Sequence, residues 1–402
     1  MNRLAIRGAT IVDTVKPTAD PVQKTIVIED GRIVDLIAPD ETVSGEVIDA
    51  TGLWAIPGMI DLHFHPFLVG IDPSIPRHMQ SLARNVDLCV EALGTWLDSG
   101  VTTVRSAGAH ENLDLEVRDL LRVGRLRGPR MQASGNMITM TAGLRMGNEN
   151  AGLEVSGPDE ARMVARRQLK AGVDWLKIYA SSSVGGGGGR LIGPPGWPQL
   201  GVSEIAAIVE EGRNAGVPCM AHASSAPAVT NCLKAGVQCI EHATHIDEEG
   251  LSLLVETDTP IVPTLAIGWS LATFGIERGF GEHIQKMAAA QQEDGYTSMM
   301  KAKRAGVRVG TGTDADNTKC LVREECRLMV DAGFTPYEAL QAATIRSSEI
   351  LGRSGDLGGL APGFIADVVL IAADPLSRIE NLAEVNHVIK DGEIAFSREV
   401  SA

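Results

Sequence analysis

The chain has 402 residues, and its 44% of apolar and 22% of charged residues are ordinary proportions for a folded enzyme. A formal net charge of −15 argues against nucleic acid and against an anionic membrane surface as partners. The apolar runs are shorter than the roughly 20 residues that a membrane-spanning helix needs. The N-terminal residues show no apolar signal region, and the six cysteines show neither a C-x-x-C motif nor a disulfide-framework spacing, so we expect a cytoplasmic protein with reduced cysteines.

Short strands are predicted at both ends of the chain. The alternating apolar segments that predict them are 4–12, 25–29, 31–37, 366–371, 387–390 and 393–395. A turn at Asp30-Gly31 makes the second and third of these strands a hairpin. The simplest arrangement combines residues 1–54 and 355–402 in one small composite β-sandwich domain.

Between these ends, from residue 55 to residue 354, short apolar strands alternate with amphipathic helices. Strands are expected at 55–64, 101–106, 130–137, 174–179, 217–222, 237–242, 260–265 and 307–313. Helices between them are expected at 82–98, 112–125, 158–171, 203–215 and 283–305. Eight strands with helical crossovers are typical of a (β/α)8 barrel rather than an open sheet, so the predicted fold class is α/β.

The first barrel strand ends in His63-Phe64-His65. Side chains alternate along a strand, so both imidazoles point the same way, and Pro66 ends the strand directly after them. Two converging neutral imidazoles suit a divalent metal ion. In a chain with nine histidines, an H-x-H motif arises by chance roughly one time in five, so the motif gains meaning only from further ligands.

Four other strand ends supply such ligands. Active sites of (β/α)8 barrels lie at the C-terminal ends of the strands. The fifth, sixth and eighth predicted strands end in His222, His242 and Asp314, and the fourth contains Lys177 among apolar residues. A lysine that faces the barrel needs an anionic partner, although one that extends to the surface needs none. The combination predicts a metal centre.

The motifs around these residues resemble the amidohydrolase superfamily, in its branch of Xaa-Pro dipeptidases and imidazolonepropionase-like hydrolases. The matching segments are Pro57–His65, Ile240–His242, Gly312–Ala315 and Pro362–Asp367. The resemblance implies that His63, His65 and Asp314 bind the more buried of two metal ions, that His222 and His242 bind the more exposed ion, and that Lys177, carboxylated to a carbamate, bridges them. Imidazolonepropionase-type members lack such a lysine and bind one metal, so Lys177 points to a two-metal site.

The chemistry of this assignment is coherent. A carbamate forms only from a neutral amine, and burial and nearby cations both favour the neutral form of lysine. Two divalent ions can share a bridging hydroxide that attacks a carbonyl, with Asp314 as the general acid and base. Nitrogen and oxygen ligands without cysteine suit Zn²⁺, with Mn²⁺, Fe²⁺ or Co²⁺ as alternatives.

The chain departs from these relatives at positions that contact substrate in them, so the resemblance does not assign its substrate contacts. Many dipeptidase relatives carry a Gly-Gly-His-like segment where this chain has residues 141–145, and some carry a tyrosine at the position of Ser224. Arg145 is a candidate clamp for a substrate carboxylate, a surface salt bridge being an equally good interpretation. Leu144 and Trp197 are candidates for the rim of an apolar pocket, although such residues more often serve ordinary packing.

Two further histidines and one loop belong to the predicted surroundings of the site. His110 follows the second barrel strand and is a candidate substrate contact, with a plain surface histidine as the alternative. His245 is expected either to support the metal ligands or to face solvent. The glycine run 185–189 lacks the Gly-Lys-Ser/Thr ending of a nucleotide loop and is typical of a flexible lid.

The predicted function is hydrolysis of an amide bond in a small molecule by a binuclear metal centre, with an N-acyl amino acid or a dipeptide-like substrate. Alternatives are hydrolysis of a carbamate, ester, lactone or phosphotriester, a mononuclear cyclic-amide hydrolase or deaminase, and a silent relative that acts as a scaffold. Such scaffolds typically lose metal ligands, whereas this chain keeps all six. We expect a small-molecule substrate and a homo-oligomer.

Overall fold

The computed structural model of the chain describes residues 3–16, 20–66, 82–143, 152–183, 196–278, 281–316 and 319–398. Within these residues the strands are β1 (Arg3–Ile11), β2 (Val22–Glu29), β3 (Arg32–Ile37), β4 (Glu46–Asp49), β5 (Trp54–Pro57), β6 (Met59–His65), β7 (Val101–Ser106), β8 (Arg130–Gln132), β9 (Met137–Met140), β10 (Gly152–Val155), β11 (Leu176–Tyr179), β12 (Cys219–Ala223), β13 (Cys239–His242), β14 (Ile261–Val262), β15 (Ala315–Asp316), β16 (Val368–Ile371), β17 (Val385–Lys390) and β18 (Glu393–Ser397).

The helices alternate with these strands through the middle of the chain. They are α1 (Leu82–Asp98), α2 (Leu113–Arg122), α3 (Pro158–Ala171), α4 (Val202–Ala215), α5 (Ala226–Lys234), α6 (Glu248–Glu256), α7 (Leu265–Phe274), α8 (Glu282–Arg304), α9 (Val322–Asp331), α10 (Pro336–Gln341) and α11 (Ser347–Ile350). Among the residues that the structure describes, none of these helices combines the length and the apolar character needed to cross a membrane.

The first of two compact units comprises Met1–Asp61, Gly94–Thr103 and Cys320–Ala402. Its mixed sheet has the order β18-β17-β16-β5-β1-β2-β3, and β4 also pairs with β1. Strands from both ends of the chain share this sheet because β16 pairs with β5 in antiparallel register. Inward-facing residues such as Ile6, Ile26 and Leu370 are fully buried and form the apolar core of the sheet.

The second unit comprises Leu62–Leu93 and Val104–Lys319. Six of its strands form a sheet in the order β10-β9-β11-β12-β13-β14, and every neighbouring pair in that order runs parallel. A second sheet has the order β15-β6-β7-β8. Parallel neighbours require crossover connections, and α4, α5 and α6 supply them between β11 and β12, β12 and β13, and β13 and β14, which makes this a mixed α/β fold with parallel sheet.

Two predicted helices, 82–98 and 158–171, have the bounds observed for α1 and α3. Four strand predictions need correction. The segment 55–64 divides at Gly58 into β5, which belongs to the mixed sheet, and β6, which belongs to the sheet β15-β6-β7-β8. The segment 130–137 divides into β8 and the start of β9, and 260–265 shortens to Ile261–Val262 because Pro263 follows and α7 begins at Leu265. In 307–313 the structure shows a single bridge, from Val309 to Ile261, since the glycines of this segment weaken a regular strand.

Candidate metal centre

Four histidines from three strands form one buried cluster in the second unit. The ring centroids of His63 and His65 on β6 are 5.2 Å apart, and those of His63 and His242 on β13 are 4.9 Å apart. The ring of His222 on β12 lies 4.3 Å from that of His242. All four side chains are buried, and parallel pairing of β12 with β13 places their carboxyl ends together. The structure therefore brings together all the histidines that the sequence predicted as metal ligands.

Asp314 lies against the two histidines of β6. Its Oδ1 is 3.6 Å from His63 Nε2 and 3.3 Å from His65 Nε2. Its backbone N–H donates to the carbonyl of His63 at 2.7 Å, so the segment before β15 is fixed to the same strand end. Donor atoms of His63, His242 and Asp314 lie within 4.8 Å of one another, which is a nitrogen and oxygen set that divalent metals accept.

Lys177 on β11 is 1% exposed, and its Nζ has no hydrogen-bond partner among the described residues. Burial lowers the pKa of its amine to about 8, although the Glu241 and Asp314 carboxylates act in the opposite direction. Desolvation is the main cause that lowers the pKa of His63 and His222, and the nearby charge of Lys177 lowers the pKa of both further. An amine left buried without an acceptor is unfavourable, so this position calls for an anionic group on or beside Nζ.

A second buried nitrogen, Nε2 of His242, also lacks a hydrogen-bond partner among the described residues. Desolvation lowers the pKa of His63 and His242 well below the ordinary value and that of His222 to about 3. These imidazoles are therefore neutral at physiological pH, which is the state that binds metal. The residues present thus fit a divalent metal centre, because donor atoms of His63, His242 and Asp314 lie within 4.8 Å of one another and Nε2 of His242 has no hydrogen-bond partner among the described residues.

Asp314 has the protonation state that a ligand needs. Burial alone would raise the pKa of its carboxyl group, but the adjacent His63 imidazole and a hydrogen bond from His65 hold that pKa well below its ordinary value. The side chain is 25% exposed, more than any of the four histidines. A charged carboxylate that is still reachable from outside can serve both as ligand and as a proton acceptor.

The second ring nitrogen of three histidines is held by a neighbour. His63 Nδ1 donates to Glu241 Oε2 at 2.6 Å, and His65 Nδ1 donates to the carbonyl of Gly108 at 3.0 Å. His242 Nδ1 lies 2.6 Å from Thr264 Oγ1. Such contacts fix the tautomer and direct Nε2 toward a metal.

Four residues beside the cluster were not predicted from the sequence: Glu241, Arg105, Thr264 and Tyr179. Glu241 and Arg105 are the charged residues within the apolar strands β13 and β7, and that pattern was the signal that could have found them. Tyr179 stacks on the His222 ring with centroids 4.1 Å apart and planes 12° apart. It shares a face of β11 with Lys177 because residues two apart on a strand do so.

Four non-glycine residues with positive φ lie in or beside the cluster. His242, Ala243, Thr264 and Asp314 have φ values of 69°, 49°, 49° and 48°. Non-glycine residues adopt this conformation at a cost of about 1–3 kcal/mol each, and such strain is typical of functional sites. The strained residues lie where the strands end and their side chains turn toward the cluster.

The remaining predicted residues lie either on loops and turns of the described chain or outside its described ranges. His245 is 41% exposed, with Nδ1 at 3.8 Å from Asp294 Oδ2. Trp197 is 56% exposed, and its backbone N–H donates to Ser182 Oγ. His110 is partly buried at the start of the short helical turn His110–Asn112. The residues outside the described ranges are Leu144, Arg145 and the glycine run 185–189.

Comparisons with known proteins agree with this geometry. The family model described as the amidohydrolase family matches residues 54–395. A solved structure of an amidohydrolase is 30% identical, covers 100% of both chains and superposes with a TM-score of 0.89. A Xaa-Pro dipeptidase solved with methionine in its active site is 26% identical, covers 99% of this chain and 100% of its own, and gives a TM-score of 0.89. The ochratoxinase of Aspergillus niger is 25% identical over 93% of this chain and 83% of its own length.

Proposed function

This chain belongs to the amidohydrolase family, and we propose that within it the protein hydrolyses the amide bond of an N-acyl amino acid or dipeptide-like molecule at a binuclear metal centre. Membership, together with its hydrolase relatives, makes it a metal-dependent hydrolase that acts on carbon–nitrogen bonds. We propose two further properties within that family: the centre binds two ions, and the substrate is derived from an amino acid.

One observation carries the proposal of two ions: the amine of Lys177 is buried without a partner among the described residues, beside four histidines and a carboxylate. His63, His65 and Asp314 would hold one ion, His222 and His242 the other, and a carbamate on Lys177 would bridge them. Addition of carbon dioxide to the neutral amine, with loss of a proton, would give Lys177 a carbamate whose single negative charge is shared by two oxygens that can bind metal. Zn²⁺ fits these ligands, with Mn²⁺, Fe²⁺ or Co²⁺ as alternatives.

Bound divalent ions would polarise the scissile carbonyl and lower the pKa of water. The residues of the chain then supply orientation and proton transfer. Asp314 accepts a proton from the attacking water and delivers it to the leaving amine, which its ionised and partly exposed carboxylate permits. The neutral imidazoles bring no positive charge of their own, so they do not repel cations from the cluster.

The names of two relatives support an amino-acid-derived substrate. One solved relative is a Xaa-Pro dipeptidase that holds methionine in its active site, and a second relative is named for action on ochratoxin. Arg145, Leu144, His110, Trp197 and His245 are the candidates for substrate contacts in this chain. Ser224 Oγ lies 3.4 Å from His222 Nε2, at the position where some relatives carry a tyrosine.

We also propose the domain architecture, the location and the assembly of the protein. Residues 55–354 would close into a (β/α)8 barrel, and residues 1–54 and 355–402 would form the composite β-sandwich. The protein would act on its small-molecule substrate in the cytoplasm as a homo-oligomer.

The test is an activity screen of purified protein whose metal content has been quantified. Dipeptides, N-acyl amino acids, carbamates, lactones and phosphotriesters would be compared at equal concentration, with Asp314→Asn as the control for contaminating activity. We expect amide substrates that carry a free carboxylate to have the highest kcat/KM, in protein with two ions per chain. Turnover of carbamates or phosphotriesters without any amide hydrolysis would contradict the proposed substrate class.

A mononuclear centre is the second candidate, favoured by the grouping of His63, His242 and Asp314 within 4.8 Å. Full activity with one ion per chain would support it over the binuclear centre.

A further inference from the structure

A buried chain of charged groups leads from the interior of the second unit to His63. Arg105 Nη2 donates to Glu241 Oε1 at 2.7 Å, and Glu241 Oε2 accepts from His63 Nδ1 at 2.6 Å. Arg105 and Glu241 are 0% exposed and His63 is 1% exposed. These three residues come from β7, β13 and β6, so the contacts also join three strands.

Arg105 is held in place by contacts of its own. Its Nε donates to the carbonyl of Leu62 at 2.7 Å, directly before His63 in the chain. Its guanidinium lies 4.5 Å from the ring centroid of Trp175, a favourable cation–π distance. A buried carboxylate without a counter-charge would be strongly destabilising, and Arg105 supplies that counter-charge to Glu241.

His63 differs from the other two supported histidines in the nature of its partner. His65 contacts a backbone carbonyl and His242 contacts a hydroxyl, whereas His63 contacts a carboxylate. A carboxylate accepts only, so Nδ1 must carry the proton and Nε2 keeps the lone pair that a metal needs. That Nε2 faces Asp314, the other proposed ligand of the same ion.

We propose that Glu241, held by Arg105, is a positioning residue that fixes the tautomer and ring orientation of His63 and thereby sets the metal affinity of the centre. This inference rests on the proposed metal centre. Glu241 acts through His63 and needs no contact with substrate.

The experiment measures metal binding rather than activity. Metal-free wild type, Glu241→Gln, Glu241→Ala and Arg105→Lys are titrated with Co²⁺ in competition with a chelator, in bicarbonate buffer, and the visible spectrum of the bound Co²⁺ is recorded. Glu211→Gln is the matched control, because Glu211 is a nearly buried carboxylate held by Arg162 and Arg166 between α3 and α4.

We expect Co²⁺ to bind Glu241→Ala about 10–100-fold more weakly than wild type, with an altered spectrum, because partners of this kind typically contribute that much to metal affinity. Glu241→Gln retains an oxygen acceptor, so its affinity for Co²⁺ should lie between those of wild type and Glu241→Ala. Arg105→Lys should still fold and should also bind Co²⁺ more weakly than wild type. Glu211→Gln should match wild type.

Unchanged affinity and spectrum in both Glu241 variants would overturn the positioning role while leaving the proposed function intact. Absence of Co²⁺ binding in wild type would instead contradict the metal centre itself, and the positioning role with it.

Discussion

Lys177 is the residue on which the proposed number of metal ions depends. Its amine is buried, has a pKa lowered to about 8 by desolvation, and lies among neutral histidines. Removing the side chain takes away the proposed bridge and leaves a cavity that a small carboxylate can enter. We therefore expect Lys177→Ala to lose bound metal, and a short carboxylic acid such as propionate to restore part of it, as measured by metal analysis of the dialysed protein. Metal content equal to that of wild type would refute the bridge.

Asp314 allows ligand binding and proton transfer to be separated. Asparagine keeps one oxygen for a metal but cannot accept a proton, so Asp314→Asn should retain metal while kcat falls by about 10²–10⁴, the typical contribution of general acid–base catalysis. Turnover and metal content are measured on the same preparation. Wild-type kcat in a metal-replete variant would remove Asp314 from proton transfer.

The segment that precedes Asp314 packs closely on strand β6, which carries His63. A Cβ atom added to Gly312 would lie 2.7 Å from His63 Cβ and would also clash with the side chain of Val262. We expect Gly312→Ala to displace His63, to weaken metal binding and to lower the free energy of unfolding by about 1–3 kcal/mol. Denaturant unfolding and metal titration of the variant measure both effects.

The matched control is Gly268→Ala on α7, where an added Cβ meets no atom within 4 Å. Alanine is favoured over glycine inside a helix by about 1 kcal/mol, so this variant should be neutral or more stable. Equal metal affinity and equal free energy of unfolding in the two variants would show that the close contact with His63 has no energetic consequence.

The elements also show how far the sequence predicts the structure. Periodicity located α1 and α3 to the residue, because long amphipathic segments have strong signals. The last predicted strand, 307–313, did not form as a regular strand, since Gly310 and Gly312 weaken a strand that the apolar residues around them indicate. The six proposed ligands were predictable because polar and charged side chains are uncommon in buried strands unless they are paired or bind a metal.

Glu241 and Arg105 were not predicted from the sequence. Each residue is visible in the sequence as a charge inside an apolar strand, but that pattern does not tell which distant residue compensates the charge. Only the three-dimensional arrangement shows that Glu241 connects Arg105 to His63. Supporting residues are therefore harder to predict than ligands.

For the whole molecule, the metal centre links function to stability. Four buried histidines and a lysine from four strands, with a carboxylate from the segment before β15, make up the proposed centre, so a bound ion would stabilise the folded state over the unfolded one. Metal at 1,000 times its Kd would add about 4 kcal/mol per site to the free energy of unfolding. Chelation should lower the Tm of wild type and have little effect on Lys177→Ala. A Tm of wild type that is indifferent to chelator would contradict this linkage.

A pair of metal ions bridged by a modified Lys177 can be tested by crystallography of zinc-loaded protein with anomalous diffraction at the zinc edge. We expect two anomalous peaks about 3.5–4 Å apart, one beside His63, His65 and Asp314 and one beside His222 and His242, with carbamate density joining them to Lys177. A single peak, with an unmodified Lys177 amine pointing away from it, would rule out the bridged pair.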